Sequence, residues 1–111
     1  KVAHIVLGTT QYEHKIFAAP FSRRFPQAAM HCAPSQYSFP LDLPPRAVGI
    51  NPNSKDDHRG PGILTEHAQY AWGDEFDLRI LQPQSRLAGR YSAVEAAFVH
   101  RDTKTLILTD A

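Results

Sequence analysis

Cysteine is nearly missing from this chain: Cys32 is the only one in 111 residues. An intrachain disulfide is therefore impossible, and so is a zinc knuckle built on paired cysteines. Cys32 lies in an apolar strand pattern, where a buried and inert thiol is expected. Long apolar runs are missing too. None approaches the roughly 18 residues that a bilayer-crossing helix needs, so no transmembrane segment is expected. Twelve basic residues against eleven acidic ones leave a formal charge of +1, without the basic stripe that nucleic-acid binding requires. The one tight basic cluster, Arg23-Arg24, sits at a predicted helix end, where cations complement the helix dipole. The sequence opens at Lys1 with no methionine, signal or transit peptide, which leads us to expect a processed or partial chain. What is present is ordinary: 42% apolar and 21% charged residues match a globular composition and exclude disorder or a fibrous repeat. One domain is expected, burying roughly 65% of the surface of the unfolded chain.

Val2 to Leu7 is a short apolar run rich in β-branched residues and closed by Gly8, which predicts a buried first strand. Phe17, Phe21 and Phe25 then recur at a spacing of four, with Ile16 beside Phe17. That spacing predicts the main helix from Glu13 to Phe25, its aromatic stripe turned into the core. Pro20 interrupts the pattern, so the helix either kinks there or restarts with Pro20 at its first position, and Pro26 ends it. Gln27 to Ala33 predicts a second strand in which His31 is partly exposed; strand, helix and strand form a βαβ unit. Residues 34–74 hold six of the nine prolines and predict a long ordered insertion. Its first part interleaves Tyr37, Phe39, Leu41 and Leu43 with prolines, giving a stiff apolar segment that something must cover. Its second part, Asn53 to Gly62, reads as an exposed loop in which Asp56, Asp57 and His58 are solvated rather than metal-bound. Leu78 to Gln82 predicts a half-buried strand, and Ala93–His100 with Lys104–Thr109 an antiparallel hairpin. The expected fold class is α/β, with about five strands, one main helix and the Pro-rich insertion 34–74, all in one domain over residues 1–111.

The chemistry-bearing motif follows the first strand: Thr9-Thr10-Gln11-Tyr12-Glu13-His14, leading into the helix. This segment resembles the H-x-H-x-D-H turn of the metallo-β-lactamase fold, with Thr9 and Gln11 in place of two histidines, Glu13 in place of the aspartate, and His14 retained. Leu106-Ile107-Leu108-Thr109-Asp110 resembles the strand-end F-T-G-D element of that fold, where the aspartate bridges two metals. Glu13-His14-Lys15-x-Phe17, Pro20-Phe21, Arg23-Arg24-Phe25-Pro26 and Ser38-Phe39-Pro40-Leu41-x-Leu43-Pro44 together resemble an uncharacterised metallo-β-lactamase-like domain family of cyanobacteria, algae and plants. The resemblance spans nearly the whole chain and implies the N-terminal half of that sandwich.

The departures from the pattern bear on activity. A hydroxyl or amide side chain cannot replace neutral imidazole as a tight zinc ligand, and no histidine stands between Leu81 and Ala93. Only His14, Glu13 and Asp110 remain to reach an ion. The resemblance therefore implies a non-catalytic structural or interaction subunit, with no cofactor and with His14 and Asp110 left as a hydrogen-bonded or ionic pair at the mouth of the sheet. Its partners are expected to be other protein subunits docked on Tyr37, Phe39, Leu41 and Leu43. The family's hosts imply a plastid setting, on the stromal side, peripheral to a photosynthetic membrane complex. The alternative is a metal-dependent hydrolase with an altered single-metal site, one zinc or iron ion on His14, Glu13 and Asp110. A third reading is a small-ligand pocket in which Thr9, Thr10 and Gln11 offer hydrogen bonds. His4 is expected as a satisfied core or edge histidine, and His67 and His100 as surface groups.

Overall fold

The computed structural model describes residues 1–36, 44–82 and 93–110. The proposed docking residues Tyr37, Phe39, Leu41 and Leu43 lie outside them. Among the described residues the chain is a small α/β fold with two sheets and five strands.

The first strand, β1 (His4–Leu7), starts two residues later than the apolar run suggests. It is followed by two short helices, α1 (Tyr12–Lys15) and α2 (Ala18–Arg24), and by β2 (Ala29–Cys32), which pairs parallel with β1. This is the expected βαβ unit, but its helix breaks one turn earlier than Pro20. The cause is Pro20 itself. A proline lacks the amide that would bond to the carbonyl of residue 16, and its ring would clash with that carbonyl. Restarting at Ala18 places Pro20 in the first turn, where an amide has no intrahelical partner to lose; the bond from Phe21 N to Phe17 O, 3.0 Å, comes next.

The structure also overturns the expected direction of the aromatic stripe. Phe17 is 71% exposed and Phe21 50%, and Phe25 is half-buried. The buried side of the helical segment is made instead by Lys15, Ala18 and Ala19, spaced i, i+3, i+4. The two alanines pack with Leu7, Met30, Cys32 and Ile50 in the first core cluster. Small side chains let the helix lie close to the sheet, which leaves no room for phenyl rings between them.

The insertion is sewn to the outer edge of β2. Backbone groups of alternate β2 residues face away from β1: Met30 O accepts from Asn53 N at 2.9 Å, and Met30 N donates to Asn53 Oδ1 at 2.9 Å. Two residues on, Cys32 N donates to Gly62 O at 2.7 Å and Cys32 O accepts from Leu64 N at 2.8 Å. An edge strand that would otherwise display unpaired polar groups is thereby closed. The segment expected as an exposed loop is thus anchored at both ends. Between them Arg59 grips Asp57 with two bonds, Nε to Oδ1 at 3.0 Å and Nη2 to Oδ2 at 2.9 Å, and donates to Gln27 O at 3.0 Å. A 3-10 turn at Pro45–Val48 is the only helix described within the insertion.

The second sheet is antiparallel, in the order β3 (Phe76–Leu81), β4 (Glu95–His100), β5 (Thr105–Ile107). Its hairpin turns through residues 101–104, with Lys104 in the left-handed region at φ 55°. Leu78 and Ala96 join Leu64 in a second core cluster flanked by Tyr70, Trp72, Ile80 and Phe98.

Gly62 has to lie flat against the neighbouring chain: a Cβ there would overlap the backbone of Asn53 and Pro52. Gly62→Ala is expected to cost about 2–3 kcal/mol of stability, the range for overpacking that backbone must absorb. Urea unfolding followed by circular dichroism measures it, and a change under about 0.5 kcal/mol would contradict the close approach.

Candidate functional site

The motif residues collect where the two sheets meet. Beyond Leu7 the chain runs on beside the start of β4: Ala96 N donates to Gly8 O at 2.6 Å and Thr10 N to Val94 O at 3.1 Å, with Thr9 bridged to Glu95. The threonine hydroxyls serve this junction. Thr10 Oγ1 accepts from Val94 N at 3.0 Å, and Thr9 Oγ1 accepts from Gln11 N at 3.2 Å, turning the chain into α1. Gln36 Nε2 donates to Thr9 O at 2.8 Å. α1 then presents Glu13 and His14 outward and Lys15 inward.

Asp110 arrives from the opposite direction. Glu95 Oε1 accepts the amides of Thr109 at 2.5 Å and of Asp110 at 3.3 Å, bending the end of the hairpin toward α1. There Asp110 Oδ2 lies 3.0 Å from His14 Nε2, the side chains being 52% and 33% exposed. Glu13, His14 and Asp110 each offer a ligand atom, and these atoms lie within 4.8 Å of one another. The structure therefore assembles all three candidate ligand residues named from sequence, although 96 positions separate His14 from Asp110.

The family model described as Domain of unknown function (DUF4336) matches residues 1–111. The chain belongs to that family. No curated protein and no solved structure matches it.

In this DUF4336 chain the donor set found among the described residues is Glu13, His14 and Asp110. Thr9 is buried, and its hydroxyl is turned back to accept from Gln11 N. Thr10 Oγ1 accepts from Val94 N in the same way. Among the described residues one half-buried imidazole and two exposed carboxylates come together here, with oxygen donors of the kind that hard divalent cations favour. The neighbouring groups supply little else. Burial pushes the Cys32 thiol up to about 12, with the Lys15 ammonium pulling weakly the other way, so Cys32 is no nucleophile at neutral pH. Lys15, buried beside it, is lowered by the same desolvation.

Sequence reasoning passed over two residues that shape the site. Lys15 follows His14 directly but faces the core, and its i, i+3, i+4 spacing with Ala18 and Ala19 carried that signal. Glu95 holds the Thr109 and Asp110 amides, and nothing local in the sequence announces it.

The other histidines serve the core or the surface. His31, expected to be partly exposed, is fully buried. It packs roughly perpendicular to the rings of Tyr70 and Trp72, with centroids 5.7 and 6.2 Å away. Its position in β2, closed on one side by β1 and on the other by the insertion, explains the difference. Pro61 O can only accept, so His31 Nδ1 donates to it at 2.9 Å. Neutral His31 then accepts at Nε2 from His4 Nδ1, 3.1 Å away. His58 and His67 are exposed, and half-buried His100 bonds Thr103 Oγ1 at 2.8 Å.

Desolvation, the largest cause, lowers both His31 and His4 below the usual 6.5. The unfolded chain therefore binds more protons than the folded one just below pH 6.5, so stability is full above that value and falls as pH drops through it. Urea unfolding is expected to show lower stability at about pH 5.5 than at about pH 7.5, and His31→Gln to flatten the difference. An unchanged slope in that variant would assign the effect to other groups.

Proposed function

We propose that this chain is a non-catalytic interaction subunit whose open sheet face is covered by another protein subunit. The observation that carries this reading is an apolar cavity of about 490 Å³ between the sheets and the 71–76 segment, lined by His4, Val6, Trp72, Phe76, Phe98 and Ile107 among others. At its mouth Val6 is 42% exposed and Ile107 45%. Large apolar side chains gathered around a concave surface mark a protein contact more often than bare solvent exposure. The thinned set of metal ligands points the same way. The family resemblance adds the expected setting, a complex at the stromal side of a plastid photosynthetic membrane. In Val6→Asp and Ile107→Asp, each placing a charge at a half-exposed position, the subunit is expected to leave its native assembly, seen by native mass spectrometry as a free chain. Stability should change by less than about 1 kcal/mol. Retention of both variants at full stoichiometry would refute the reading.

A second reading, a hydrolase with an altered single-metal site, is favoured by the convergence of Glu13, His14 and Asp110. Activating water would require a firmly held ion with an open position and supporting groups around it. Metal analysis after purification with zinc or iron present distinguishes the two. The first reading expects well under one ion per chain and no change in Asp110→Asn. A stoichiometric ion that Asp110→Asn releases would favour the second.

A further inference from the structure

The helical side of the molecule carries a separate apolar surface. Alternation along β1 sends Ile5 and Leu7 toward α2 and His4 and Val6 toward the cavity, so the two surfaces lie on opposite sides of that strand. On the helical side Phe17 is 71% exposed, Tyr12 58%, Phe21 50% and Ile16 47%. Val48, 39% exposed, extends this surface through the 3-10 turn, which meets α2 at Gly49: a Cβ added there would lie 3.2 Å from Ala19 Cβ and 3.6 Å from Arg23 Nη1. Arg23, Arg24 and Arg46 on these same elements are exposed.

The charge pattern is as uneven as the apolar one. Residues 14–55 contain five lysines and arginines and one acidic residue, Asp42, whereas the rest of the chain contains seven basic and ten acidic residues. The near-zero total thus conceals a basic segment that carries Ile16, Phe17, Phe21 and Val48; Tyr12 and the exposed Glu13 of α1 lie just before it, and of its five cations Lys15 is buried.

We propose that this face seats α1, α2 and the 45–48 turn on an anionic lipid bilayer. Rings on one side of a short helical unit and arginines beside them suit the boundary between acyl chains and phosphate headgroups, where apolar burial and attraction to anionic lipid act together. A symmetric contact between two copies of the face would bring the Arg23-Arg24 pairs toward each other, which disfavours a second copy as its occupant.

Flotation of the intact chain with vesicles tests this. Phosphatidylcholine vesicles containing phosphatidylglycerol are expected to carry the protein, pure phosphatidylcholine vesicles to carry much less, and added salt to weaken binding. Arg23→Gln with Arg24→Gln should lower the partition coefficient about 30-fold, from the usual contribution of a basic residue near an anionic surface. Phe17→Ser with Phe21→Ser should lower it about tenfold or more. Both pairs are exposed, and matching circular dichroism and thermal melts establish that the variants fold. Equal recovery with neutral and anionic vesicles, or wild-type partition in either double variant, overturns the proposal. So does concentration-dependent self-association that Phe17→Ser with Phe21→Ser abolishes in a chain that binds no vesicles.

Discussion

The backbone bonds between Gly8–Thr10 and Val94–Ala96 join what would otherwise be two separate small sheets. Glu95 pairs with Leu81 on one side and is bridged to Thr9 on the other, while Phe98 to His100 lie between β3 and β5. β5 and the extension of β1 therefore share one edge of β4, end to end. Entry at that edge is narrow. A Cβ on Gly8 would sit 3.1 Å from Thr109 Oγ1 and 3.6 Å from Ala96 O, tighter on the first contact than side chains normally tolerate. Much else follows from this junction. α1 starts directly after it and is delivered to the end of β5, which is why His14 and Asp110 meet. Val6 and His4 are brought beside Phe98 and Ile107, which creates the cavity.

The same junction engages both threonine hydroxyls of the motif. Leaving a buried donor or acceptor unpaired costs about 1–3 kcal/mol. Thr9 and Thr10 avoid this cost by bonding Gln11 N and Val94 N, and His31 by bonding Pro61 O and His4. These side chains are structural members of the fold. Glu13, His14 and Asp110 stand outside that accounting because water reaches them. His14 and Asp110 bond each other at 3.0 Å, with Glu13 within reach of both.

Two unlike surfaces result. On one side of β1 the second core cluster stops short of Val6 and Ile107 and leaves an apolar cavity. On the other, the close seating of Ala18 and Ala19 turns Phe17 and Phe21 outward, in a segment nearly devoid of acidic residues. The proposals of protein contact and lipid contact use different faces, so each stands or falls without the other.

The βαβ unit, the order of the strands and the final hairpin were legible in the sequence, because alternation and i, i+4 spacing are local patterns that backbone geometry converts directly into elements. The trio Glu13, His14 and Asp110 was legible as a candidate set through its resemblance to a known motif. Exposure was not legible. Phe17 and Phe21 look like core residues until Ala18 and Ala19 are seen seated against the sheet in their place, and His31 looks half-exposed until residues 53–64 close over the edge of β2. The position of Glu95 at the Asp110 amide likewise needs the hairpin folded against α1. The chain alone determined which segments become strands and helices. Only tertiary structure decided which of their faces meet water, because that depends on contacts between residues far apart in sequence, which no local period encodes.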